Sequence, residues 1–177
     1  QALCQMRGLQ SNEDAWLDLV ALGTVADLSP LLDENRALVA RGLARINTRP
    51  RLGLKKLMET AGLSEGDVTS HSIGYLLAPR LNAAGRLESA YTAYDLLMTE
   101  DEATAVALAQ QLHRHNIDRQ ERTRQAVESA RQIIAADGGV SPLYVIAEPH
   151  FEEGIVGLVA GRLTEEYYRP VLIAHRG

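Results

Sequence analysis

Leu143-Tyr-Val-Ile-Ala147 and Pro170-Val-Leu-Ile-Ala174 flank Gly154-Ile-Val-Gly-Leu-Val-Ala-Gly-Arg-Leu163. Each outer run is short and apolar, the pattern of a buried strand. The middle run repeats its apolar residues at helical spacing. A helix over Gly154–Tyr168 puts Ile155, Leu158, Val159 and Leu163 inward, and Glu148–Glu153 is the loop before it. Strand, helix, strand predicts a βαβ unit with parallel strands and a right-handed crossover.

Upstream lies the longest predicted element, a helix over about Glu100–Asp137. Thr99 and Glu102 have capping-box spacing, and Gly138-Gly139 is a stop signal. Unbroken, it would be roughly 55 Å long at 1.5 Å per residue. Its middle sets Arg114, Arg119, Arg122, Arg124 and Arg131 against Asp118, Glu121 and Glu128. A helix polar nearly all round often bridges two domains.

The first half reads as shorter helices. Leu17–Leu28 is almost wholly apolar and must be buried, as helix or strand, with helix favoured. Asp33-Glu34-Asn35 opens a helix with Leu38, Val39, Leu43 and Ile46 on one face, stopped by Arg49-Pro50. Leu52–Ala61 is closed by Gly62. Asp67–Ala78 is ended by Pro79, followed by a polar, small-residue segment, 79–86. Ser89–Met98 is a further short helix. The expected class is α/β: a mostly helical part (1–98), a connecting helix (99–137) and a βαβ part (138–177).

At 177 residues, 46% hydrophobic and 23% charged, the chain suits one globular domain or parts of two. Disorder, collagen and disulfide-rich mini-proteins are excluded. Gln1 at the start, and a strand exit at the end, are expected of a piece of something longer. The formal charge of −5 excludes a global polycation, so a nucleic-acid partner would need a local basic surface. Lys55 and Lys56 are the only lysines, and the other sixteen basic residues are Arg. The guanidinium fork suits phosphate, although a GC-rich gene would give the same bias. Cys4 is alone, so no intrachain disulfide forms and a reducing, cytoplasmic setting is expected. No apolar run reaches the roughly 20 residues that span a bilayer.

Three places could carry chemistry. Asp27 ends the first apolar run, where a carboxylate could meet a hard divalent cation; a turn carboxylate beside Ser29 is the plainer reading. Arg80-x-Asn82-x-x-x-Arg86 flanks Ala83-Ala84-Gly85 with two phosphate-binding forks; a helix C-terminus explains it equally well. Glu153-Gly-Ile-Val-Gly157 places Gly154 and Gly157 at a strand-to-helix turn, a weak signal for an anion site. Of the histidines, only His150 has a plausible site role. His113 and His115 point apart on a helix and do not form a chelating pair.

Four stretches together resemble the RecJ family of single-strand-specific 5′→3′ exonucleases, in the DHH phosphoesterase superfamily. They are Leu17–Asp27 (LDLVALGTVAD) with Pro30-Leu31 and Glu34-Asn-Arg36; Ala78–Arg86 (APRLNAAGR); Leu112-His-Arg-His-Asn116 with Arg119-Gln120; and Gly154–Leu163 with Arg169-Pro-Val171. The resemblance implies that Asp27 helps hold a pair of Mn²⁺ or Mg²⁺ ions. It implies that Arg80, Asn82 and Arg86 line the DNA-phosphate path, with Arg86 orienting a phosphate. Asn116, Arg119 and Gln120 would face DNA from the connecting helix, and the βαβ unit would begin the DHH-associated domain. The implied substrate is single-stranded DNA in repair and recombination, with a single-strand-binding protein or a helicase as further partners.

The DHH triplet and the other metal-binding motifs are absent, so the chain by itself is expected to be inactive. Gly161 stands where relatives often carry Ser. A non-catalytic scaffold module of a replication complex, or a phosphodiesterase for short oligonucleotides or cyclic dinucleotides, are the competing functions.

Overall fold

The computed structural model describes residues 13–87, 89–138 and 141–177, apart from the side chains of Glu13, Arg86 and Leu87. Cys4 and the predicted phosphate-orienting side chain of Arg86 therefore lie outside the description. A 3₁₀ turn, Glu13–Trp16, leads into α1 (Leu17–Ala26), so the apolar run is a helix. α2 (Asp33–Thr48) lies against it, because Gly42 brings the two backbones together: a Cβ there would overlap the Leu17 carbonyl and the Ala21 side chain. α3 (Leu52–Thr60) ends at Gly62, whose φ of +73° suits glycine. The loop that follows is tied back to α2 by Asn47. Its amide donates to the Val68 carbonyl at 2.8 Å and accepts from the Val68 N–H at 2.9 Å.

The next element departs from expectation. Residues 70–87 form one helical run, α4, made of Ser70–Ser72, a π-helical turn Ile73–Leu77, and Ala78–Leu87. Pro79 lies inside it and does not end it. The reason is the π turn, in which the Ala78 N–H reaches back five residues to the Ile73 carbonyl. That register shift comes just before the residue that has no N–H to give. The Arg80 guanidinium then takes the Leu76 carbonyl. As a result Ala83 and Ala84 are fully buried helix-packing residues, not a loop left open for a ligand. α5 (Tyr91–Met98) follows as expected.

α6 (Glu102–Ala136) is 35 residues long, about 52 Å. Its cap is Asp101, whose carboxylate accepts from the Thr104 N–H at 2.7 Å, and not the Thr99–Glu102 box. Thr99 instead accepts from the Asp101 N–H. β1 (Tyr144–Glu148), α7 (Val156–Tyr167) and β2 (Val171–His175) complete the described chain, with the strands parallel and Tyr144 opposite Val171.

Two apolar clusters hang on α6. Ala105, Ala109 and Leu112 join the first, with α1–α5. Ala126, Val127, Ala130 and Ile134 join the second, around Phe151, Val159 and Leu163. The expected polar middle is the stretch between the clusters. Two ion pairs lock the second cluster to the helix: Arg122 to Glu152 at 2.8 Å and Arg131 to Glu166 at 2.8 Å. Among the described residues no helix is long and apolar enough to cross a membrane.

Candidate nucleic-acid interface

Arg119, Gln120 and Thr123 on α6 face Gly157, Gly161 and Arg162 on α7 across a cleft of about 260 Å³. Three residues chosen from two separate motifs, Arg119 and Gln120 from one and Gly157 from the other, thus line one surface. A Cβ at Gly157 or Gly161 would meet nothing within 4 Å, so the α7 wall is open for a ligand to approach backbone. The sequence reading missed Thr123 on the α6 wall and Arg162 and Glu165 on the α7 wall. Their signal was present: 119, 120 and 123 on one helix, and 157, 158, 161, 162 and 165 on the other, each fall on one face at helical spacing.

Asn116 has a different part from the expected one. It is only 3% exposed, buried within the helix packing and not on the surface. Its amide oxygen accepts from Arg119 Nη2 at 2.9 Å and so orients the guanidinium. Gly154 lies half-buried in the turn before α7. The helix begins at Val156, not Gly154, and the Ile155 and Val156 N–H groups both donate to the Glu152 carbonyl. Those two donors are spent within the turn, so the expected anion site there loses them.

Arg80 turns to α6. Its Nε donates to His113 Nδ1 at 3.2 Å, and burial pulls its pKa below the ordinary arginine value. Asn82 is exposed on the same helix. His150 is structural: its Nε2 lies 2.9 Å from Ser129 Oγ and its ring lies against Phe151, pinning the loop to α6.

Asp27 caps the C-terminal end of α1 and is exposed. Helix carbonyls already make that end negative, so a carboxylate there is best satisfied by a cation. The next residue, Leu28, is held at φ +55°, an uncommon conformation for a bulky side chain. The Asp27 turn shares a groove of about 330 Å³ with α4, through Leu28 and Ser29 on one side and His71 and Tyr75 on the other. Arg80 is five residues further along α4 than Tyr75, roughly 8 Å of helix. Among the described residues no three His, Cys, Asp or Glu side chains gather as a metal site. Asp27 offers one ligand, and the described donor set does not fit a pair of ions.

No family model matches the chain. The single-stranded-DNA-specific exonuclease RecJ of Bacillus subtilis is 40% identical over 160 residues, covering 90% of this chain and 20% of that protein. The crystal structure of Thermus thermophilus RecJ with Mg²⁺ superposes with a TM-score of 0.86 at 36% identity, over 99% of this chain and 27% of the other. The chain is homologous to a segment of RecJ. A manganese-bound RecJ exonuclease structure gives the same TM-score, 0.86, with 44% of its chain covered. The curated RecJ relatives are matched over 20–30% of their own length. The mostly helical α/β fold is therefore that of a RecJ segment, and the solved RecJ neighbours are complexes with Mg²⁺ or Mn²⁺.

Proposed function

We propose that this RecJ segment holds the substrate strand of a metal-dependent 5′→3′ exonuclease that hydrolyses single-stranded DNA in repair and recombination. The observation that carries the reading is the α6–α7 cleft, where Arg119 and Arg162 face each other beside two glycines that leave the wall open. Guanidinium forks grip phosphate oxygens bidentately, and glycine lets a sugar-phosphate backbone come close. Arg80 meets α6 at His113, six residues, or about 9 Å of helix, before Arg119.

In this reading Arg80, Asn82, Arg119 and Gln120 line the strand's path, and Asn116 positions Arg119. Gly157 gives the strand room, Gly154 shapes the turn beneath it, and Arg86 orients a phosphate. Asp27 contributes one carboxylate to the Mn²⁺ or Mg²⁺ site. The division at 98 and 137 belongs to the same reading, supported by two apolar clusters strung on one helix. So does a partner that delivers single strands, a single-strand-binding protein or a helicase. The hydrolytic step is not assigned to the described residues, because one exposed carboxylate does not make a two-ion centre.

The test is a 5′-labelled single strand incubated with the 177-residue chain and Mn²⁺. Binding with no nucleotide release is expected. Release of nucleotides, or failure to bind, would contradict this division of labour.

A further inference from the structure

A third cavity, of about 430 Å³, opens at the N-terminal end of α1, among Trp16, Arg45, Arg51, Leu97, Met98 and Glu100. Asp27 is at the other end of that helix, about 15 Å away, so this cavity is separate from the groove beside it. Trp16 is 51% exposed. The Arg51 guanidinium sits 5.7 Å from its ring centroid. Arg51 is itself immobilised: Nε and Nη2 each donate to Asp18 at 2.8 Å, and Nη1 donates to the Leu97 carbonyl at 3.1 Å. The indole is therefore backed by a pinned cation, and the rest of its surface is open to the cavity.

Arg45 differs from Arg51. Its Nε is 3.8 Å from the Asp18 carboxylate, within Coulombic reach but beyond hydrogen-bond length. That Nε is buried and has no hydrogen-bond partner. Asp18 is already satisfied, by the Arg51 fork and the Leu19 N–H. Two guanidiniums thus share one carboxylate, and the Arg45 side chain, a third of it exposed, lines the cavity.

We infer that this cavity binds a nucleotide, with the base stacked on Trp16 between Leu97 and Met98 and the phosphate on the Arg45 fork. Aromatic side chains accept any base on its π face, and the volume lies within the range of small-ligand sites. An acidic peptide is the rival occupant, but without an aromatic residue it has no π face to stack on Trp16. A free nucleoside monophosphate and one nucleotide of a strand present the same chemistry.

Trp16 is the chain's only tryptophan, so its fluorescence reports on this cavity alone. The 177-residue chain is titrated with dAMP, with adenosine, and with a short oligodeoxyadenylate. Saturable quenching is expected, with adenosine and the Arg45→Gln variant each weakening dAMP binding about tenfold. Tighter quenching by the oligomer identifies a strand, and tighter quenching by dAMP identifies a free nucleotide. Should Arg45→Gln not fold, Arg45→Lys serves, because it keeps the charge and loses the fork. Three results would each overturn the inference: no saturable quenching, affinity unchanged by both Arg45 variants, or stronger quenching by an acidic peptide ending in an aromatic residue. Arg119→Ala is expected to leave the dAMP titration unchanged, which keeps this test separate from that of the α6–α7 cleft. Loss of the quenching in that variant would merge the two sites and also overturn the inference.

Discussion

Arg80 Nε donates to His113 Nδ1 at 3.2 Å, a polar tie added to the apolar packing of the PRLNAAGR helix on the long helix, at the edge of the polar stretch. The guanidinium is held at two points, since the Leu76 carbonyl takes Nη1. His113→Phe keeps the ring's bulk and removes the acceptor. We expect the variant to fold and to bind single-stranded DNA several-fold more weakly. Arg80→Lys should behave alike, and the double variant should be little worse than either single one. Fluorescence anisotropy over this double-mutant cycle decides it, since contacting residues are non-additive. Fully additive losses would mean that His113 does not position Arg80.

Asp18 is fully buried under the Arg51 fork. Asp18→Asn would leave Arg51, its side chain only 16% exposed, without its counter-charge, which costs on the order of 3 kcal/mol. Urea unfolding is expected to show a lower midpoint at an unchanged slope. A midpoint shift worth under about 1 kcal/mol would place this pair with ordinary surface ion pairs.

Gly157 has open space where a Cβ would go. Gly157→Leu should therefore leave thermal stability equal or slightly higher, because Gly157 is in the first turn of α7, where replacing glycine gains at most a part of the roughly 1 kcal/mol it costs a helix interior. The same side chain would fill the cleft. Affinity for a single strand should fall at least about tenfold while the melting temperature holds. Unchanged affinity would remove α7 from the strand's path.

The Glu121 carboxyl is held down to about 2 from its ordinary 4.5, by Arg124 first and Gln125 second. A carboxylate depressed on folding stabilises fully above its unfolded pKa, and that stabilisation fades as pH falls toward about 2. Glu121→Gln should flatten the acid limb of α6 helicity between those values, read by far-UV circular dichroism. The effect should be small, because the group is exposed and screened. An identical acid limb in the variant would mean that this pairing is absent in solution.

Periodicity was enough for the βαβ unit, and start and stop signals for the long helix and the close of α3 at Gly62. The misreadings share a cause: local rules were overridden by neighbours that the sequence does not display. Pro79 is an ordinary stop signal, yet the π turn before it carries the helix through. Ala83-Ala84 left a phosphate-binding segment and a helix C-terminus equally open, because the α6 residues that pack with Ala84 in the first apolar cluster lie far along the chain. Asn116 reads as a surface amide, and only the helix packing shows it buried. Asp18 sits in an apolar run as an anomaly whose explanation, Arg51, is 33 residues away. The cleft itself was half legible: each wall has helical spacing, but nothing in the chain says that the walls face each other.

The central claim is that the α6–α7 cleft carries a nucleic-acid backbone, and the salt dependence of binding tests it most directly. Affinity of the chain for a single strand is measured over a range of salt, with and without Arg119→Ala. Losing one phosphate contact should weaken binding and lower the slope of log affinity against log salt by about one unit. A variant that binds with the parent's slope would mean that Arg119 meets no phosphate, and the cleft would not be the strand's path.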